Sequence, residues 1–171
     1  YGTSQVGSGT NGSDIPCLGV LPNLKRSDTD RETTDVASHC VHQIRNQIEV
    51  RRGQSDTYAL AITSPHQGDG KTSVVMALGW SYAAAGYDTI LVDCDLVGRS
   101  LTRQLGLVGR SGLKEAIQAG TTNGEITELP VPHLSALAAG ADPHFGPESV
   151  RRRDLNTLVE QLRQQYDMII I

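Results

Sequence analysis

The stretch Tyr58 to Ser73, YALAITSPHQGDGKTS, joins a short apolar run to a loop carrying Gly68 and Gly70, and then to Lys71-Thr72-Ser73 at the head of a helical pattern. Glycines let the backbone curl so that successive N–H groups face an anion, and a helix N-terminus adds partial positive charge behind them. The order predicts a phosphate-binding loop that takes ATP or ADP with Mg²⁺. In it Gly68, Asp69, Gly70, Lys71, Thr72 and Ser73 surround the phosphates, Lys71 reaches the outer ones, and the Thr72 hydroxyl ligates the metal. The usual spacing is G-x-x-x-x-G-K-[ST], and Pro65 stands where its first glycine is expected. Ala59 to Ile62 read as the strand before the loop. Val74, Val75, Leu78, Ser81, Tyr82 and Ala85 recur at helical spacing after it. The alternative, a glycine turn with an ordinary surface lysine, explains neither flank.

A second apolar run, Thr89 to Asp95 (TILVDCD), suits a strand buried on both faces and ends in two carboxylates. Ligands of open α/β sheets bind at the carboxyl ends of strands, so Asp93 and Asp95 are expected on the same edge as the loop. Strand alternation would turn both the same way, towards Lys71, as a Mg²⁺ and general-base site. The competing role is capping of the next helix.

Around these two stretches the chain reads as strand, helix, strand, helices, strand, helix, strand. Short helices are expected at Leu101–Leu105 and Gly112–Gly120, and loop over Gly124–Pro132. A strand comes next at Leu134–Ala138, then a Gly/Pro-rich loop over Gly140–Pro147. An amphipathic helix at Asp154–Gln165 and a last strand at Asp167–Ile171 complete the chain. The fold class is α/β, a P-loop NTPase-like three-layer sandwich with right-handed crossovers and a mainly parallel sheet. Residues 15–171 form one nucleotide-binding domain, and residues 1–14, rich in Gly, Ser and Thr, form a flexible tail or linker.

Upstream of the loop, Ile15–Pro22 (IPCLGVLP) reads as an edge strand or an extended arm, and Leu24–Thr34 as loop. From Asp35 a helix is expected with Val36, Cys40, Val41, Ile44 and Ile48 on one face, stopping at Arg51-Arg52-Gly53. His39 and His42 have no third partner at metal spacing and read as surface residues. Cys17, Cys40 and Cys94 are scattered, as suits free thiols. A net charge of −4 gives no reason to expect nucleic acid as a partner, and the clusters Arg51-Arg52 and Arg151-Arg152-Arg153 read as solvated faces. No apolar run approaches membrane-spanning length, so the chain as given is expected to be soluble.

Several stretches together resemble the bacterial tyrosine autokinases of capsule and exopolysaccharide synthesis, the cytoplasmic half of polysaccharide co-polymerases. They are Ser64-Pro65-x-x-Gly68-x-Gly70-Lys71-Thr72, Leu91-Val92-Asp93-Cys94-Asp95-Leu96, Gly106-Leu107, Gly112-Leu113, AAGADP at Ala138–Pro143, and Tyr166-Asp167 before three isoleucines. IPCLGVLP is similar to that family's segment between the second membrane helix and the kinase domain. The resemblance covers Ile15 to Ile171. It implies transfer of the ATP γ-phosphoryl group to tyrosine, with Lys71, Asp93 and Asp95 catalytic and Thr72, Asp93 and Asp95 at Mg²⁺. It also implies a place at the cytoplasmic face of the bacterial inner membrane, beside a membrane-spanning co-polymerase or activator segment.

The chain departs from that pattern at several points. Val97 stands at the arginine of D-x-D-x-R, and Arg99 is the candidate to reach in instead. The helix carrying E-x-x-R-x-x-R for ring assembly reads His39, His42, Arg45 here, so only weak homo-oligomerisation is expected. The family's next aspartate and its tyrosine-rich tail would come after Ile171, so the sheet is expected to be truncated after its fourth strand, with an exposed edge. Tyr58, Tyr82 and Tyr166 read as packing residues. Two other readings are a catalytically degenerate nucleotide-binding or scaffold module, which Val97 favours, and a partitioning-type P-loop ATPase. The second expects a lysine where His66 stands.

Overall fold

The computed structural model describes residues 15–22, 31–53, 56–142 and 146–171, without the side chains of residues 31–33. The expected tail over residues 1–14 and the loop reading of residues 24–30 lie outside this set. The elements are α1 (Arg31–Arg52), β1 (Tyr58–Leu60), α2 (Lys71–Ala84), β2 (Thr89–Val92), α3 (Ser100–Gln104), α4 (Leu113–Ala119), β3 (Thr127–Glu128), β4 (Leu134–Leu137), α5 (Arg152–Leu162) and β5 (Met168–Ile170). A 3-10 turn at Pro147–Ser149 precedes α5.

The sheet has five strands in the order β1-β5-β2-β4-β3. Pairing is parallel from β1 through β4, with Tyr58 opposite Met168 and Thr89 opposite both Met168 and Leu134. The stretch read as loop over Gly124–Pro132 holds the fifth strand, β3, antiparallel to β4. Two residues are too few to show strand periodicity, and it is β4's free edge that draws them into pairing.

Alternation along the strands sorts the core onto two faces. Leu91, Met168 and Ile170 point to the layer of α1 and α2, where they meet Val41, Ile48, Val75, Leu78 and Tyr82. Ile90, Val92 and Ile169 point the other way, to Leu113 and Ala116 of α4 and Leu158 and Leu162 of α5. This is the three-layer arrangement, and its small aromatic content is compensated by branched aliphatics. At Gly79 α2 packs tightly on the sheet, since a Cβ there would lie 2.6 Å from Leu91 Cδ2.

Two boundaries differ from the sequence reading. α1 begins at Arg31, so residues 31–34 are helical rather than loop. Val36 is 52% exposed and does not share the buried face of Val41 and Ile48. Ile15–Pro22 is an extended arm rather than a strand. Leu18 and Leu21 pack on the α1–α2 core, and Gly19 lies so close to Ile44 that a Cβ would fall 2.7 Å from its Cγ1.

The far ends of α1 and α2 are joined by a polar cluster. The Tyr87 hydroxyl donates to Glu49 Oε2 at 3.1 Å, Arg52 pairs with Glu49 at 3.4 Å, and the Arg52 guanidinium sits 5.2 Å from the Tyr87 ring centroid. Tyr82 meets Tyr87 edge-on at 5.6 Å. Ile169 is fully buried between β1 and β2, facing α5. We expect Ile169→Ala to lower unfolding free energy by about 2–5 kcal/mol through lost transfer energy and the cavity left behind. Urea denaturation of both proteins measures it, and a loss below about 1 kcal/mol would contradict this packing.

Candidate functional site

Between β1 and α2 the chain must turn sharply, and Gly68 and Gly70 take φ values of +91° and +90°, where a Cβ is strained. Gly70 is the N-cap of α2 and has no side chain with which to cap it. The first helical bond runs from Val74 N–H to Gly70 O at 3.0 Å, so the amides of Lys71, Thr72 and Ser73 have no acceptor inside the helix. Those amides are donors for an anion.

The loop is braced by its own side chains. Asp69 Oδ2 accepts the His66 N–H at 2.9 Å and lies 3.8 Å from the imidazole. Lys71 Nζ donates to Ser64 Oγ at 2.8 Å and to the His66 carbonyl at 3.1 Å, while the Ser64 hydroxyl donates to that same carbonyl at 2.9 Å. The amine is held over the loop by two neutral oxygens, a tether that an anion outcompetes.

Asp93 and Asp95 differ in surroundings. Alternation stops with β2 at Val92, because Leu96 N–H turns back to Cys94 O and Arg99 N–H to Asp95 O. Asp93 is 4% exposed, and its Oδ2 accepts both the amide and the hydroxyl of Thr102, at 2.8 and 2.7 Å. Asp95 is exposed, and its Oδ1 accepts the Gly98 N–H at 2.7 Å. A Cβ at Gly98 would fall 2.1 Å from Asp95 Oδ2, so a side chain there would make this carboxylate move.

Lys71, Thr72, Asp93 and Asp95 line one cavity of about 270 Å³, with Ser100 and Ile171 also in its wall. Gly68, Asp69, Gly70 and Ser73 line a groove of about 670 Å³ on the other flank of the loop, walled by Leu21 and Pro22 of the arm and Val41 of α1. The predicted residues thus divide between two spaces around one loop. A third hollow, of about 580 Å³, lies at the opposite end of the sheet beside Asp88, His133 and Tyr166 and holds none of them.

The donor set suits a magnesium nucleotide. Hydroxyl and carboxylate oxygens are the hard ligands Mg²⁺ prefers, and amides, amine and left-handed glycines suit phosphates. Among the described residues no three His, Cys, Asp or Glu side chains are grouped to hold an ion by themselves. A cation here would therefore need hydroxyl, water and phosphate oxygens beside the carboxylates, the usual habit of Mg²⁺.

Arg99, the candidate for the arginine absent at Val97, is turned towards backbone carbonyls. Its side chain donates to Leu96 O at 2.9 Å, Gly140 O at 3.4 Å and Asp142 O at 2.5 Å, so it is spent on the loop after β4. Val97 itself is 81% exposed. On α1, Arg45 donates to Ser81 O at 2.6 Å and His42 Nδ1 shares a 2.7 Å hydrogen bond with Ser81 Oγ, tying both residues to α2. Sequence reasoning gave no role to Ser64, Gly98 or Thr102. Ser64 stood inside the motif, but nothing in the sequence pairs Thr102 with a carboxylate nine residues earlier.

A glycine loop at the carboxyl end of a parallel sheet, with a lysine and a threonine leading the next helix, defines a P-loop α/β domain. No protein-family profile matches the chain. It is 30% identical over 129 residues to the putative tyrosine-protein kinase CapB of Staphylococcus aureus, covering 75% of this chain and 57% of that one. The fold matches the chimerical protein CapA2B2 with a TM-score of 0.76 at 24% identity, over 92% of this chain and 70% of that one. It matches the BceF tyrosine kinase domain with a TM-score of 0.74 at 21% identity and the same coverage. The septum site-determining protein MinD of Pyrococcus horikoshii, complexed with Mg-ADP, aligns less well, with a TM-score of 0.56 at 24% identity over 67% of this chain and 48% of that one. Over the matched residues the chain is similar to bacterial tyrosine-protein kinases. It spans a little over half the length of its CapB relative.

Burial, and next the Asp93 carboxylate, push the Cys94 thiol up to about 12. Its thiolate fraction at pH 8 is then on the order of 10⁻⁴. We expect iodoacetamide at pH 8 to alkylate the exposed Cys17 at least a hundredfold faster than Cys94. Peptide mass spectrometry over time measures this, and equal rates would refute the burial.

Proposed function

We propose that the chain is the ATP-binding domain of a protein-tyrosine autokinase that regulates exopolysaccharide or capsule synthesis. The observation that carries this reading is the convergence of Lys71, Thr72, Asp93 and Asp95 on one cavity beside the glycine loop. In phosphoryl transfer the protein chiefly positions groups and offsets charge. Backbone amides from Gly68 to Thr72 hold the phosphates, and Lys71 leaves Ser64 to neutralise the β and γ oxygens. Thr72, Asp93 and Asp95 are the side chains that would hold Mg²⁺. When bound, that ion neutralises charge on the phosphates and orders water around them.

The two carboxylates divide the remaining work. Asp93, buried and already accepting three hydrogen bonds, orients groups around it. Asp95, exposed and with one hydrogen bond from Gly98, is the better placed to take the proton of an incoming tyrosine hydroxyl. A membrane-spanning co-polymerase or activator is the expected partner, and self-association is weak, because Arg45 is engaged within the chain. The site of action is the cytoplasmic face of the inner membrane.

A second reading, a scaffold module that binds nucleotide without transfer, is favoured by Val97 facing solvent while Arg99 is engaged elsewhere. A partitioning-type ATPase has the weaker fold match and lacks the lysine that His66 replaces.

Lys71→Ala is expected to weaken Mg-ADP binding at least tenfold, about 1.4 kcal/mol. Calorimetry that gives equal affinities would defeat the nucleotide site. Full-length protein given radiolabelled ATP is expected to acquire phosphotyrosine. Nucleotide binding with no label on tyrosine would select the scaffold reading.

A further inference from the structure

We propose that Thr102 is a positioning residue for Asp93, fixing which oxygen of that carboxylate can serve a bound magnesium nucleotide. The proposal rests on the phosphoryl-transfer reading and deepens it.

Thr102 is 3% exposed, and its hydroxyl has two partners: it donates to Asp93 Oδ2 at 2.7 Å and accepts the Ala139 N–H at 3.0 Å. A hydroxyl carries one proton. Because Ala139 N–H can only donate and a carboxylate can only accept, the proton must point to Asp93, and the hydroxyl has no other rotamer that satisfies both. The Thr102 amide adds a second bond to the same Oδ2 at 2.8 Å, while Asp95 N–H donates to Oδ1 at 3.1 Å. Oδ2 has then filled both of its lone-pair directions and Oδ1 one of two, so the capacity left for an outside group lies on Oδ1 alone.

Thr102 also joins three parts of the chain at this point. It belongs to α3, the carboxylate comes directly after β2, and Ala139 lies just beyond β4. Ser100 and Leu101, its neighbours on α3, line the same cavity as Lys71 and Thr72. Through Thr102, a displacement of α3 becomes a rotation of the Asp93 carboxylate. Loss of the hydroxyl leaves the buried Ala139 amide without an acceptor and takes one of the two donors from Asp93 Oδ2, so the carboxylate is held by two backbone amides alone and its orientation loosens.

The test compares wild type, Thr102→Val and Thr102→Ser in the full-length protein by calorimetry with ADP, with and without Mg²⁺, and by amide hydrogen exchange at Ala139. Thr102→Val is expected to weaken binding at least tenfold with Mg²⁺ and less than twofold without it. It should also speed Ala139 exchange at least tenfold. Thr102→Ser keeps the hydroxyl and should stay within about threefold of wild type in every measurement. Should the valine variant unfold, Thr102→Ala removes the same hydroxyl and must give the same split. Equal losses with and without Mg²⁺, or a wild-type Mg-ADP affinity in Thr102→Val, would overturn the positioning role and leave the nucleotide site standing. A wild type that binds no ADP under either condition would overturn the phosphoryl-transfer reading itself, and the positioning role with it.

Discussion

The structure depends on the burial of β2. Its four residues have β5 on one side, β4 on the other and helical layers on both faces, and none of Thr89 to Val92 is more than 1% exposed. A strand in that position has no freedom to shift register, because a slip of one residue would exchange Leu91 for Ile90 and Val92 between two cores of different shape. The residue after Val92 is therefore delivered to a fixed point at the carboxyl end of the sheet. That residue is Asp93.

A buried carboxylate needs donors, and here they come from the turn and the short helix that follow β2. α3 supplies two and the start of the next turn supplies a third. The same logic governs the phosphate loop, where the donors have no carboxylate to serve. The amides at the head of α2 come after a glycine N-cap with no side chain, and Lys71 rests on a hydroxyl and a carbonyl. One half of the site has its anion built in, and the other half is arranged to receive one. That asymmetry links the fold to phosphate chemistry more directly than the presence of any single residue.

Much of this was legible in the chain itself. GDGKTS and TILVDCD mark the loop and central strand because each needs particular residue types at fixed spacing, and the layers could be read from apolar periodicity in α2 and α5. The five-stranded sheet was not legible, since Thr127-Glu128 becomes a strand only beside β4. Nor was the fate of Arg99, which its short distance from Val97 suggested for the site and which the Gly140–Asp142 loop instead holds. Val36 had the spacing of a core residue and is exposed, while its neighbour Ala37 lines the groove with Val41.

By itself the sequence determined the order of strands and helices apart from β3, the glycine turn, and the amine, hydroxyl and carboxylates available for chemistry, since these depend on local conformation and residue type. Only the tertiary structure decided that Asp93 is enclosed while Asp95 stays in water, and that Thr102 and Ala139 meet at the first of them. Those outcomes arise where chain segments separated by tens of residues converge, and no local pattern encodes which hydrogen-bond donor will arrive.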